Sequence, residues 1–179
     1  GSLAVATNGP GNFVVTWASS DWDGSGQGIV AQRFDASGTK VGNEFQVNTY
    51  TTSNQSAPAI AADGLGNFVV VWQSYLQDGF GEGLFGQRFD TAGIPIGLEF
   101  QVNSHTTDDQ KAAKVAADSA GNFVLAWEID ELKVDKSFTM GMTTDASDAP
   151  IVRSTIELAH KLGLTVVAGG VEDGATLEQ

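Results

Sequence analysis

The groups in this sequence best suited to chemistry are acids on two glycine-rich stretches. Residues 21–26 read DWDGSG and residues 77–82 read QDGFGE. Ca²⁺ is a hard cation that takes about six to eight oxygens, and acids alternating along a flexible loop can wrap it with carboxylates and carbonyls. Asp23 and Asp78 hold equivalent places, while Asp21 and Glu82 occur in one copy each. Calcium ligation by Asp21, Asp23, Asp78 and Glu82 is one reading. A tight hairpin in which the aspartate only starts the turn is the other.

The remaining candidates are weaker. Asp108, Asp109 and Asp118 form a second acidic group, expected to be a solvated edge. The two histidines, His105 and His160, lack the spacing of a zinc site, and no Gly-x-Ser-x-Gly elbow is present. His160 reads as a helix-end residue. Cysteine is absent, which excludes disulfides and thiolate chemistry. Arg33 and Arg88 stand in a repeated QRFD and either bind ligand carboxylates or, as expected here, pair with an acid of a neighbouring strand. Trp22, Tyr50 and Tyr75 either stack a sugar or cap the sheets.

The elements that position these residues are set by repetition. GNFVVTW at residues 11–17 returns as GNFVVVW at 66–72 and GNFVLAW at 121–127, spaced 55 residues apart both times. GIVAQRFD matches GLFGQRFD, EFQVN recurs unchanged, and NTYTTSNQ matches NSHTTDDQ, all at the same offset. Each unit reads as four strands: a small-sided one (3–6, 58–62, 113–117), the aromatic heptad, GIVAQRF or GLFGQRF, and EFQVN. The near-continuous apolar run of the heptad predicts burial on both faces. Asp35 and Asp90, each three residues before a glycine, predict Asx-type turns.

Four-stranded meanders in tandem predict a mainly β protein of β-propeller-like blades, about 2.5 per chain, with a sandwich as the alternative. The units are 2–56, 57–111 and an incomplete 112–127. In this arrangement the small first strands crowd the central channel and the heptad tryptophan packs between blades. Too few blades are present to close a ring, so self-association is expected, most simply a homodimer that pools about six. The net charge of −13 argues against nucleic acid and anionic membrane surfaces as partners, and no apolar stretch is long enough for a membrane span. The Gly1-Ser2 start leaves the question of a leader open.

The stretch DGSGQGIVAQRFDASGTKVGNEFQVN resembles the tandem repeats of large secreted bacterial proteins, often adhesins or calcium-associated exoproteins. The resemblance covers residues 2–127. It implies an extracellular, calcium-related binding role.

Residues 128–179 differ in composition and period. Residues 151–162 present a broad apolar helical face after Asp148 and Pro150, and Gly163 is the expected stop. Strands at 131–135 and 164–168 complete one β-α-β unit. IDELKVDKSF and IVRSTIELAHKLGLTVVAGGVED resemble the late part of the EAL-type cyclic-di-GMP phosphodiesterases. That resemblance places Lys133 at the active centre and Glu172 as an acid of the AEGVE loop. Gly169 stands where the loop's catalytic glutamate is expected, and the family's EAL and DDFGTG segments, which carry metal-binding acids, do not occur. Two-metal hydrolysis needs carboxylates for both ions, so an authentic phosphodiesterase is not expected. Residues 129–135 are expected instead to serve as the third strand of the incomplete blade.

Two functions follow. One is a calcium-binding repeat module with a binding or assembly role and a small-molecule or carbohydrate ligand. The other is a weak calcium-dependent hydrolase of a lactone, ester or phosphodiester, with Asp21, Asp23 and Asp78 holding the ion and Lys133 and Glu172 in attendance.

Overall fold

The computed structural model describes residues 2–20, 22–104, 106–129, 131–134 and 165–168. Among them the chain is built of strands. It divides into two compact units, residues 1–128 and 129–179.

The first unit holds two complete four-stranded antiparallel sheets. The first runs β1 (Leu3–Thr7), β2 (Phe13–Ser20), β3 (Gln27–Phe34) and β4 (Lys40–Gln46). The second runs β5 (Gln55–Ala62), β6 (Phe68–Tyr75), β7 (Glu82–Phe89) and β8 (Pro95–Gln101). In both, strand order follows chain order, so each is a meander. The third repeat supplies a pair, β9 (Gln110–Ala117) with β10 (Phe123–Ile129). The protein is mainly β, and its sheets are blade-like.

The turns follow from the sequence. The Asp35 carboxylate accepts from the Ser37 and Thr39 amides at 2.9 and 2.8 Å, and Gly38 takes φ 83°. Asp90 repeats this with Ala92 and Ile94, beside Gly93 at φ 79°. Only a residue without Cβ takes such a backbone without strain.

Apolar side chains fill the space between consecutive sheets. One cluster joins Val14, Ile29 and Val47 of the first repeat to Ile60, Val70 and Trp72 of the second. Another joins Val69, Val71 and Leu84 of the second to Ala113, Phe123 and Leu125 of the third. The small-sided first strands lie side by side, β5 packing against β1 on one side and β9 on the other.

Burial of the heptad on both faces holds for the middle copy alone. Phe68, Val69, Val70, Val71 and Trp72 are all buried, because a repeat covers each face of β6. In β2 burial alternates, and in β10 Val124 and Trp127 are exposed. Position in the array, and not the motif, decides how deeply each copy is covered.

In the second unit, β11 (Glu131–Val134) and β12 (Thr165–Ala168) pair in parallel, with Lys133 opposite Val167. The parallel pairing agrees with the two strands expected here; the helix expected at 151–162 lies outside the described residues. The expectation that this stretch supplies the third strand of the incomplete blade is not met. β11 bonds to β12, in a sheet distinct from β9–β10.

Candidate functional site

The loops that carry the acids sit at one end of the sheets, between β2 and β3 and between β6 and β7. Asp23 Oδ1 accepts from the Ser25 amide at 3.2 Å, and Asp78 Oδ1 accepts from the Phe80 amide at 3.2 Å. These are the Asx turns of the plainer reading. The second oxygen of each points the other way. Asp23 Oδ2 accepts from Asn48 Nδ2 at 3.3 Å, and Asp78 Oδ2 from Asn103 Nδ2 at 3.5 Å. Asp78 Oδ2 also accepts from Gln101 Nε2 at 3.4 Å. Gly28 and Gly83 lie against these carboxylates so closely that a Cβ would stand 2.8 and 2.5 Å from Oδ2.

Asn48 and Asn103 are the centres of two equivalent buried relays. Asn48 Oδ1 accepts from the Ile29 amide at 2.7 Å, and its Nδ2 donates to Gln55 Oε1 at 3.1 Å. Gln55 Nε2 in turn donates to the Thr52 carbonyl. Asn103 bonds the Leu84 amide and Gln110 Oε1, and Gln110 donates to the Thr107 carbonyl. Asn48, Gln55, Asn103 and Gln110 are all buried. Each relay ties the third strand of one repeat to the first strand of the next. This is the task of the repeated NTYTTSNQ segment. It was open to detection, since the asparagine and the glutamine recur unchanged at the 55-residue offset.

Gln32 and Gln87 are a second such pair. Pairing of β3 with β4 slips between Ala31 and Arg33, and that of β7 with β8 between Gly86 and Arg88. At each slip three residues of the fourth strand, 42–44 or 97–99, face one residue of the third, the glutamine. Its Nε2 donates to a neighbouring carbonyl, Arg33 O at 2.8 Å or Arg88 O at 2.9 Å, and reaches two more carbonyls across the bulge. A bulge frees ladder groups, and here one amide satisfies them.

Among the described residues, neither Arg33 nor Arg88 pairs with an acid. Arg33 Nη1 donates to the Thr91 carbonyl in the second repeat at 2.9 Å, and Arg88 lies over the Phe123 ring of the third, 6.0 Å from its centroid. Each reaches forward to the following repeat. Arg33 borders a cleft of about 170 Å³ between the first two repeats, beside the stacked rings of Phe13 and Phe34. The equivalent residues Arg88, Phe68 and Phe89 border one of about 120 Å³ at the next seam.

Glu82 stands apart from Asp23 and Asp78. Its amide donates to Asp109 Oδ1 at 2.9 Å, and Asp109 Oδ2 meets Lys111 Nζ at 2.6 Å. In the first repeat the same place is neutral, the Gln27 amide donating to Asn54 Oδ1. Burial, then the charge of Asp109, raises the Glu82 carboxyl above its ordinary value, against the opposing pull of Lys111. The Lys111 ammonium and the Glu82 amide hold Asp109 low. Asp118, expected on a solvated edge, closes the β9–β10 turn by accepting from the Ala120 and Asn122 amides. The Asn122 side chain and amide lower its carboxyl.

Of the remaining predicted residues, Lys133 lies on β11, whereas Asp21 and Glu172 fall outside the described residues. Among the described residues no three His, Asp or Glu side chains converge as a metal site. Trp22 and Tyr75 are exposed at the loop end, while Tyr50 is half-buried, its carbonyl accepting from Asn48. No helix of the described residues is long and apolar enough to cross a membrane.

Comparison with known proteins reaches mainly the second unit. The EAL domain family model matches residues 116–179, so the match begins within β9 and overlaps the third copy of the heptad. An uncharacterized protein of Azorhizobium caulinodans is 46% identical over 50 residues, covering 28% of this chain and 7% of that protein. The cyclic di-GMP phosphodiesterase PdeL of Escherichia coli is 42% identical over 50 residues, covering 28% of this chain and 14% of its own length. The chain thus spans a small part of these relatives. Among solved structures, an endo-arabinase from Bacteroides thetaiotaomicron superposes with a TM-score of 0.46 at 18% identity, over 70% of this chain and 49% of that one. An EAL-like fragment follows β-repeat sheets in one chain.

Proposed function

We propose that this chain is a binding and assembly module of propeller-type repeats and not a working cyclic-di-GMP phosphodiesterase. One observation carries the reading. The repeated polar side chains Asp23, Asn48, Gln55, Gln32 and Arg33 are all engaged in closing turns or fastening strands and neighbouring repeats. Their chemistry is that of a scaffold, which leaves the loop ends free to present ligand contacts. Trp22 and Tyr75, exposed on equivalent ends of adjacent sheets, suit stacking on a carbohydrate face. Calcium belongs to this proposal at Asp23 and Asp78, where a carboxylate already sits on a glycine-rich loop, with Asp21 adjoining the first and Glu82 following the second. The resemblance of the repeats supports an exported setting.

The EAL-like fragment keeps a lysine on its first strand and a glutamate after its second. That set lacks the carboxylates that two-metal phosphodiester cleavage requires. The test is to incubate purified protein with cyclic di-GMP and Mg²⁺ or Mn²⁺ while recording melting with added Ca²⁺ or chelator. No cleavage, with a Ca²⁺-dependent rise in melting temperature that Asp23→Ala abolishes, is expected. Turnover of cyclic di-GMP lost in Lys133→Ala would overturn the proposal.

A further inference from the structure

The turn after the first strand of each repeat occurs three times, and one copy differs in charge. The second and third copies hold Asp63 and Asp118, and the first holds Asn8. Asp63 Oδ1 accepts from the Leu65, Gly66 and Asn67 amides, and Asp63 Oδ2 accepts from Asn67 Nδ2 at 2.7 Å. Asp118 Oδ2 accepts from Asn122 Nδ2 in the same way, at 2.8 Å. In the first copy Asn8 Oδ1 accepts from the Asn12 amide at 2.9 Å, so the Nδ2 end of Asn8 takes the place of the second carboxylate oxygen. Asn12 Oδ1 accepts from the Ala36 amide. Among the described residues neither Asn8 Nδ2 nor Asn12 Nδ2 has an acceptor. An oxygen present in two copies of the turn is missing from the third.

Asn8, Asn12 and Arg33 all line the cleft of about 170 Å³ at the first seam. Arg33 donates one N–H to the Thr91 carbonyl, and its guanidinium carries further donors without an acceptor among the described residues. Val41 and Leu65, both exposed, give the cleft an apolar edge. Among the described residues no carboxylate lines it, whereas Asp63 lines its counterpart at the second seam beside Arg88. The nearby acids Asp35 and Asp90 are held in their own turns. The first cleft thus holds a cation and two open amide groups, and the second holds a cation and its own acid. We propose that the first-seam cleft binds a small organic carboxylate with a compact apolar body, whose oxygens take the acceptor's place that Asp63 fills one repeat later. Hydrogen bonds from a guanidinium to a carboxylate are among the stronger ones, which suits this donor set. A cavity of about 150 Å³ admits benzene, so benzoate sets the scale of the ligand. The inference uses neither the calcium loops nor the EAL-like fragment.

The full chain is titrated with benzoate while the side-chain N–H signals of asparagine and arginine are followed by NMR. Saturable shifts of the Asn8, Asn12 and Arg33 signals are expected. Benzamide, which lacks the charge, and acetate, which lacks the apolar body, are each expected to bind at least about ten-fold more weakly. Asn8→Asp supplies the missing carboxylate from the chain itself. It is expected to fold, since aspartate holds this place in the other two turns, to raise the melting temperature and to weaken benzoate binding at least about ten-fold. Arg33→Gln is expected to weaken binding as much; if it fails to fold, Asn8→Asp decides. A wild type without saturable shifts overturns the proposal, as does Asn8→Asp binding benzoate like wild type. Benzamide or acetate binding as tightly as benzoate overturns the ligand class. None of these results bears on calcium or on cyclic-di-GMP turnover, so the reading above stands or falls separately.

Discussion

Asn48 shows how much one side chain can do at a seam. Its amide closes the Ile29 N–H and the Gln55 carbonyl oxygen in a buried site, so removing it strands both. A buried polar group left without a partner costs about 1–3 kcal/mol. Asn48→Ala is expected to destabilise the protein by about 2–4 kcal/mol, measured by urea denaturation, with Asn103→Ala similar. The acids differ in the direction of their pH response. For Asp63, burial raises the carboxyl, but the Asn67 side chain and the Gly66, Asn67 and Leu65 amides prevail and hold it below 3.8. A depressed acid stabilises the fold above its unfolded value and loses that contribution as pH falls through its folded one. Glu82 is raised above 4.5, so its contribution is present at low pH and is lost as pH rises through its folded value. Glu82→Gln is therefore expected to raise the melting temperature at pH 7 and to change nothing at pH 4, whereas Asp63→Asn lowers it at pH 7. The acids were legible as acids, but their partners were not. Asp23 and Asn48 lie 25 positions apart, and only the fold brings them together.

At the level of strands, the aromatic heptad fixed the sheet order correctly, and the turn chemistry of Asp35 and Asp90 came out as read. The bulges opposite Gln32 and Gln87 escaped because the extra residues lie on the fourth strands, and the register in which those strands pair is a tertiary fact. Gly28 and Gly83 escaped likewise, since the approach of an aspartate from a loop is a tertiary fact. Gly28→Ala is expected to push Asp23 off Asn48 and destabilise the fold, and Asp23→Ala in the same chain should relieve part of that loss. A double-mutant cycle on melting free energies checks the coupling. Burial predicts a ranking for the heptad tryptophans. Trp72 is fully covered, Trp17 half-covered, and Trp127 is 39% exposed. Trp72→Ala is expected to lose about 3–5 kcal/mol, and Trp17→Ala and Trp127→Ala distinctly less, by the same denaturation measurement.

For the molecule as a whole, the period of 55 was enough to read a β array, and the change of composition after Trp127 enough to read a separate tail. The allegiance of β11 was misjudged because a short strand of alternating charged and apolar residues fits either sheet by pattern. Its parallel pairing with β12 came from the chain's later half. The mainly β reading and the EAL-like fragment are both seen. Chelation is expected to lower the melting temperature of the wild type and to leave Asp23→Ala/Asp78→Ala unchanged, as a thermal melt with and without chelator would record.

The Asn48–Gln55 and Asn103–Gln110 bonds also bear on how such genes are cut and rejoined. A crossover between the asparagine and the glutamine would bring together halves from different ancestors, and both would have to preserve the match. A crossover just after the glutamine transfers the clasp whole. Recombination in this lineage should therefore favour breakpoints next to the small-sided strands, and the gene's tolerance of duplication is written in where its hydrogen bonds close.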